Sequence, residues 1–347
     1  MPILALPHVD QAELIGLQER LEAFSKISKE FLVLLAGSTV IATLGLFQNS
    51  PAVIIGAMII APLMRPLLGL SLATLTADLR LLSNVLITLA CGTAAGIAIS
   101  FSLALFLHYL ELTPEILGRT HPTLLDLGVA IFAGAIGAYC QTKVKLADSM
   151  AGVAIAVALV PPLSVVGIGL AFGNFNVWTG AGLLYLTNLV GIAFAGSLVF
   201  LIKGYTPLNR AGKGLAISSL MALLLIVPLA FSMRELILEN QISTTVKSLL
   251  RDKTQTFHGI QVREVTVQRF KSPMNVNATV LLDDHKITSK QVKLVQDFLV
   301  KEVGLPINFK LRIIPSTELS GMDAIAPIEI DIHKHPLNFD RINILSQ

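Results

Sequence analysis

SPAVIIGAMIIAPLMRPLLGLSLA (Ser50–Ala73) and SMAGVAIAVALVPPLSVVGIGLA (Ser149–Ala171) share one plan. Each opens on serine, runs through small and apolar residues, meets a proline-containing break, and resumes as a second apolar half carrying glycine. Aligning Pro62 with Pro162 also sets Leu63 on Leu163, Gly69 on Gly169 and Leu70 on Leu170, a spacing of about 100 residues. Roughly 20 apolar residues, each rising about 1.5 Å along a helix, cross a hydrocarbon core of about 30 Å. Both stretches meet that length and read as membrane spans broken near their centres.

By the same rule the chain around them carries spans at 31–48, 52–76, 82–108, 124–141, 149–172, 178–202 and 214–236. Hydrophobic residues make up 53% of the 347 and charged residues 14%, against about 25% charged in soluble domains. Mean hydropathy is +0.72. The predicted fold is an α-helical polytopic membrane bundle of about seven spans with a small C-terminal α+β domain. Its parts are an N-terminal amphipathic helix within 1–30, a transmembrane domain over 31–238 and a soluble domain over 239–347. Spans 1–3 (about 31–108) are expected to repeat as spans 4–6 (about 124–203), with 214–236 as an extra span. Three crossings per unit turn the second unit over, which makes a 3+3 inverted repeat with broken second and fifth helices. That plan recurs in secondary transporters, whose sites lie near the midplane where the helices break.

The chemistry expected at the breaks is local. A proline cannot donate to residue i−4, and its ring displaces that carbonyl. Pro62 and Pro66 free the carbonyls of Met58 and Pro62, while Pro161 and Pro162 free those of Val157 and Ala158. Unpaired backbone at membrane depth has to face protein, water or ligand. Arg65 lies between two of these prolines, close to mid-membrane, where an arginine costs at least about 2.5 kcal/mol on insertion scales. At the start of a half-helix it reinforces the positive end of the helix dipole and suits an anion; the plainer alternative is that it caps the freed carbonyls. Asn188, central in the sixth span, is the candidate to face the break, against a role as inter-helix hydrogen-bonding glue. Ser164 follows the second proline pair. Ser38, Thr39, Asn84, Thr88 and Ser197 are the other polar residues within spans. Gly92-x-x-x-Gly96, Gly134 with Ala138 and Gly191 with Ala195 are small-residue faces that close helix packing explains. Asp126 and Asp148 read as span-end anchors or helix starts, and Asp78 and Arg80 as a solvated turn.

Before the first span, Asp10 and Glu13 form a D-x-x-E helix start, and Leu14, Leu17, Leu21 and Phe24 follow at helical spacing opposite Glu19, Arg20 and Glu22. This helix fits either a membrane surface or the side of the bundle. The Met1 end lacks the basic and short apolar regions of a cleaved signal, so the first apolar segment is expected to be retained. If all seven segments cross, Arg20, Lys26, Lys29, Arg80, Lys143, Lys145, Lys203, Arg210 and Lys213 fall on one side, and the short loops opposite carry Arg119. That asymmetry places the N-terminus in the cytoplasm. Seven crossings put the C-terminal domain on the far side, with Arg234 weakly opposing.

After Leu238 charge returns at soluble frequency. Residues 239–253 read as a helix with Ile242, Val246, Leu249 and Leu250 on one face. Alternation follows through Val262, Val265 and Val267, then Val276, Ala278, Val280 and Leu282. Ser289–Val303 is helical again, and Ile307, Phe309, Leu311 and Ile313 alternate as a strand. The resulting α-β-β-α-β order makes a small sandwich of sheet and helices, suited to oligomerisation or to covering one mouth of the bundle. Ile328–Ile332 is a further strand candidate. A net charge of +3 suggests no nucleic-acid surface. Cys91 and Cys140 offer neither a disulfide framework nor metal-ligand spacing, and His333 and His335 read as solvated. With no catalytic motif and no cofactor signature, an enzyme is not expected.

The run Asn49–Pro66, then GVAIAVALVPPL (Gly152–Leu163) and LTNLVGI (Leu186–Ile192), resembles the prokaryotic membrane family known as domain of unknown function 389. The resemblance covers roughly residues 31–203 and implies a multi-pass bacterial or archaeal membrane protein, with no substrate or catalytic residues to carry over. The expected function is a permease, transporter- or channel-like, for a small anion or polar solute. Its site would comprise Arg65, Pro62, Pro66, Met58, Pro161, Pro162, Ser164 and Asn188, in a lipid bilayer and as a possible homo-oligomer. The alternative is a non-transporting scaffold or sensor working through the C-terminal domain; a membrane-embedded enzyme ranks third.

Overall fold

Residues 9–23, 25–143, 159–254, 261–268, 273–282 and 287–315 are described by the computed structural model. Phe24, Lys145, Asp148, the half-span 149–158, Ile328–Ile332, His333 and His335 lie outside them. Among the described residues five helices are long and apolar enough to cross a membrane, and a bent pair makes a sixth. The chain is thus built for membrane embedding and divides into two units, Met1–Leu236 and Ile237–Gln347.

The first unit begins with α1 (Gln11–Ala23) and α2 (Lys29–Phe47), followed by the bent pair α3 (Pro51–Ile60) and α4 (Met64–Thr76). Then come α5 (Leu79–Phe106), the short α6 (Pro114–Leu117), α7 (Leu124–Gln141), α8 (Val160–Ala171) and α9 (Phe175–Ile202). Helix α10 (Leu208–Lys253) continues past the boundary between the units. It joins the span expected at 214–236 to the helix expected at 239–253, because strong helix formers and no glycine follow Pro228.

Polar residues at the helix starts explain several boundaries. Ser28 accepts a hydrogen bond from Phe31 N at 3.1 Å, a side-chain cap for one of the orphan donors of α2. Thr123 and Asp126 form a capping box on α7, the helix-start role expected for Asp126. Two turns share a finer pattern. Ala77 takes a left-handed φ of 55° after α4, and Asp78 then caps α5. Gly173 takes φ 61° after α8, and Asn174 caps α9. Asp78, expected to be a solvated turn residue, is instead tied into the bundle: it caps Arg80 N and Leu81 N at 3.0 Å each and accepts from Gln18 Nε2 at 2.6 Å.

Close approach at glycines sets the helix packing, as expected in lipid, where apolar side chains gain little by leaving the bilayer. A Cβ on Gly167 of α8 would stand 2.7 Å from the Ile97 carbonyl oxygen and from Ser100 Cβ of α5. One on Gly196 of α9 would stand 2.9 Å from Ser71 Cβ of α4. Gly134 of α7 meets the Ile192 backbone, Gly191 meets Ala130, and Gly92 and Gly96 meet Phe31 and Leu163, so the small-residue faces serve helix packing. Ala222, Leu225 and Leu229 of α10 share a core with Leu127 and Val190.

Helix α1 is packed on the bundle, its Leu17 and Leu21 fully buried. Besides the Gln18–Asp78 bond, Tyr205 donates to Glu13 Oε1 at 3.0 Å and Arg20 Nη2 donates to the Gln141 carbonyl at 3.3 Å. Burial, with the Glu13 carboxylate next, pushes the Tyr205 phenol well above its ordinary pKa. The ends of α4, α7 and α9 therefore gather under α1 at one end of the bundle. At the other end Thr113 Oγ1 donates to the Leu46 carbonyl at 2.6 Å, and the rings of His108 and Phe172 lie 4.7 Å apart, which joins the ends of α2, α5 and α8.

The second unit contains the C-terminal turns of α10, β1 (Gln261–Gln268), β2 (Met274–Leu282), α11 (Ser289–Val303) and β3 (Ile307–Pro315). Sheet order is β1-β2-β3, with β2 antiparallel to β1 and parallel to β3. Val267 pairs with Val276, which pairs with Phe309; all three are buried with Val246, Leu250, Val295 and Leu299 in one core. A Thr288–Gln291 capping box and Gly304 at φ 72° bound α11, the two ends a parallel crossover needs.

Candidate functional site

The break between α3 and α4 is a bend of 54°. Ala61 is extended (φ −61°, ψ 127°), and α4 restarts at Met64 with no side-chain cap. Pro62 lies in the connecting turn and Pro66 in the first turn of α4, where a missing N–H removes no helical bond. Pro161 and Pro162 likewise head α8. Both proline groups thus start a helix rather than kink one. The carbonyls of Val157 and Ala158, expected to be freed by the second pair, lie outside the described residues.

Several contacts place both starts in the middle of the bundle. Ser38, halfway along α2, donates through Oγ to the Ala57 carbonyl at 2.9 Å, in the last turn of α3. Next to it, Thr39 Oγ1 stands 3.6 Å from where a Gly96 Cβ would be, and the Leu163 side chain packs against the same point. Leu163 is in the first turn of α8 and Ser164 follows it, so the middle of α2 and the start of α8 meet at Gly96 of α5, with the end of α3 held against Ser38. Met58 joins Val165, Val166 and Ile168 in one buried cluster. On the α4 side, Gly69 packs against Val85, and Gly196 and Ser197 pack against Ser71, with Ser197 Oγ donating to the Ser71 carbonyl at 3.0 Å. Arg65, about 9 Å further from α1 than Ser71, is then roughly level with Leu89 of α5 and with Asn188–Ile192 of α9.

Polar side chains collect between these two levels. Thr93 of α5 and Tyr185 of α9 share a hydrogen bond of 2.6 Å, and Tyr185 is only 9% exposed. Asn188, one turn along α9, is 5% exposed. Arg65 is half-buried, and neither it nor Asn188 is free, since each engages a partner. Thr39 and Ser164 are fully buried, and among the described residues neither hydroxyl has a hydrogen-bond partner.

Of the residues singled out from sequence, Met58, Pro62, Arg65 and Pro66 therefore flank one break, Pro161, Pro162 and Ser164 head the other half-helix, and Asn188 lies on the helix packed along α4. The Thr93–Tyr185 pair was missed, although a tyrosine central in an apolar span was its signal. Among the described residues no group of three His, Cys, Asp or Glu side chains is arranged to hold a metal ion.

The family model described as "Domain of unknown function (DUF389)" matches residues 58–194. That stretch runs from the last turn of α3 into α9 and takes in Arg65, both proline groups and Asn188. Over 218 residues the chain is 30% identical to the uncharacterized protein MJ0678 of Methanocaldococcus jannaschii, an alignment covering 59% of this chain and 67% of that protein.

Proposed function

We propose that this chain, which belongs to the DUF389 family, is a membrane permease, transporter- or channel-like, passing a small anion or polar solute between its two proline-led helix breaks. The observation that carries the reading is the mid-bundle zone just described: two half-helix starts, a half-buried arginine and several buried polar side chains within about 11 Å along α5, between the levels of Leu89 and Gly96. Polar groups there are costly unless they serve a pathway or satisfy one another, and an anchor needs none of them. The positive end of α4, with Arg65 in its first turn, favours negative charge. No catalytic step and no cofactor belong to this reading.

An inverted 3+3 repeat is part of the proposal, and its support lies in a spacing of 96 residues. Met64 and Val160, Asp78 and Asn174, Leu79 and Phe175, and Phe106 and Ile202 are each that far apart and occupy matching element ends. So do the left-handed Ala77 and Gly173. The close contacts are reciprocal: Ser71 with Gly196 mirrors Gly167 with Ser100. In this register Pro66, not Pro62, corresponds to Pro162, one turn from the alignment that residue identity suggests. Five long helices, the bent pair and a fifth span ending in α8 make seven crossings. We take the N-terminus as cytoplasmic and the C-terminal domain as opposite, consistent with the ends of α4, α7 and α9 gathering under α1. Homo-oligomerisation also stands as a proposal.

The test is flux into proteoliposomes across a panel of small anions, cations and polar solutes, wild type against Arg65→Gln. Anion flux that drops in the variant supports the arginine-lined pathway. Flux that ignores the substitution keeps the permease and removes Arg65 from its site. If nothing in the panel moves through folded, reconstituted protein, the permease reading is wrong.

A further inference from the structure

Hydroxyls in membrane helices normally turn back onto their own backbone, because in hydrocarbon no water waits for them. This bundle obeys that habit. Thr43, Ser71, Ser100, Thr187 and Ser197 each donate to the carbonyl four residues earlier. Ser38, Thr88 and Thr93 find partners on neighbouring elements. Thr39 and Ser164 break the habit: both are 0% exposed, and among the described residues Thr39 Oγ1 and Ser164 Oγ have no hydrogen-bond partner. An unpaired buried hydroxyl is costly, and here two occur on two helices in one layer.

Their helices meet at one point. Thr39 and Leu163, the neighbour of Ser164, both meet Gly96 of α5. Beside Thr39, Ser38 ties α2 to the Ala57 carbonyl in the last turn of α3. The next carbonyl, that of Met58, has no helical donor because residue 62 is proline. Ala61 is extended, so the helix stops there. The carboxyl end of α3, the negative end of its dipole, is thus held by the residue before Thr39 and shares a buried cluster with Val165 and Val166, the residues after Ser164. Lone pairs and carbonyl oxygens gathered at a helix C-terminus are ligands for a cation.

We infer that this layer holds a small monovalent metal cation of the sodium class, bound by Thr39 Oγ1, Ser164 Oγ and the carbonyl oxygens ending α3. The ligand chemistry selects the charge. Among the described residues no carboxylate lies in this layer, and a divalent ion in a low-dielectric site generally needs carboxylates to offset its lost hydration. Neutral hydroxyl and carbonyl oxygens suffice for an alkali ion. The inference deepens the permease reading and rests on it for the ion's role: a cation at the end of α3 and an anion at the start of α4 would enter one break together, each lessening the charge cost of the other.

The site itself is tested apart from transport, by thermal unfolding of the purified full chain. Sodium, lithium and potassium chloride would be titrated at constant ionic strength, balanced by choline chloride. At hundredfold excess over its dissociation constant, one alkali cation should raise Tm saturably, by about 4 °C. Ser164→Ala should remove most of that rise. In choline alone the same variant should be at least as stable as wild type, because it deletes an unpaired hydroxyl. That reversal of sign would not arise from a merely structural serine. Thr39→Val should shift half-saturation at least tenfold and Thr39→Ser should restore it; if Thr39→Val does not fold, the Ser164→Ala reversal decides. Equal Tm in every salt would mean the hydroxyls bind only water and would overturn the site, as would a rise that survives both substitutions. A cation-dependent rise without any flux would leave the site standing and the permease reading fallen. Flux with no cation effect would do the opposite.

Discussion

Gly167 and Gly37 are both helical glycines within spans, and their surroundings are opposite. At Gly167 a Cβ would stand 2.7 Å from backbone and side-chain atoms of α5, whereas at Gly37 nothing lies within 4 Å. Gly167→Ala should force α8 away from α5 at a cost of about 1–3 kcal/mol. Gly37→Ala should be neutral or stabilising by up to about 1 kcal/mol through helix propensity. Melting of the two variants in detergent checks both, and equal Tm values would mean the α5–α8 contact is looser than described. At this scale Arg65 was legible in the sequence, because a charge inside an apolar run stands out against its background. Thr39 and Ser164 were visible as polar residues, but their want of a partner was not. Whether a helical hydroxyl reaches its own backbone is a rotamer choice set by neighbours that come from other parts of the chain.

At the scale of elements, α1 shows how a pattern can identify a structure without placing it. Its leucine stripe predicts an amphipathic helix, and a lipid surface or a protein surface satisfies such a stripe equally well. Packing decided: Leu17 and Leu21 are fully buried, and Gln18, Glu13 and Arg20 bond to three different parts of the bundle. With Cys91 and Cys140 replaced, Leu17→Cys should resist a water-soluble maleimide while Glu19→Cys reacts quickly. Rapid labelling at both would show that α1 leaves the bundle in solution. The bent second span was legible from its prolines, since no helix can hydrogen-bond through them. The position of Pro62 between helices, and of Pro66, Pro161 and Pro162 in the first turns of α4 and α8, was not, because it depends on where each helix stops before the break.

For the whole molecule, the second unit keeps a core of its own, with Val276, Leu299 and Phe309 buried among residues of that unit alone. A fragment from Ile237 onward should therefore fold cooperatively by circular dichroism, and Phe309→Ala should lower its stability by about 3–5 kcal/mol. A fragment that stays unfolded would show that the core needs the bundle. Seven crossings make a separate prediction: in sealed vesicles, single cysteines at Glu19 and Lys301 should react with an impermeant maleimide from opposite faces. Reaction from the same face would make the crossing number even and rule out seven crossings. By itself the sequence determined that the chain is a multi-pass helical membrane protein with a small α-β-β-α-β domain behind it. A bilayer leaves unsatisfied backbone no alternative to helices, and alternation in the tail leaves little choice but strands. Only the tertiary structure decided which helix ends meet at mid-depth, that α1 lies against the bundle, and that matching helix starts and caps stand 96 residues apart. In lipid one apolar helix face attracts another almost indifferently, so partners are chosen by steric fit at single glycines, and hydropathy carries no record of that fit.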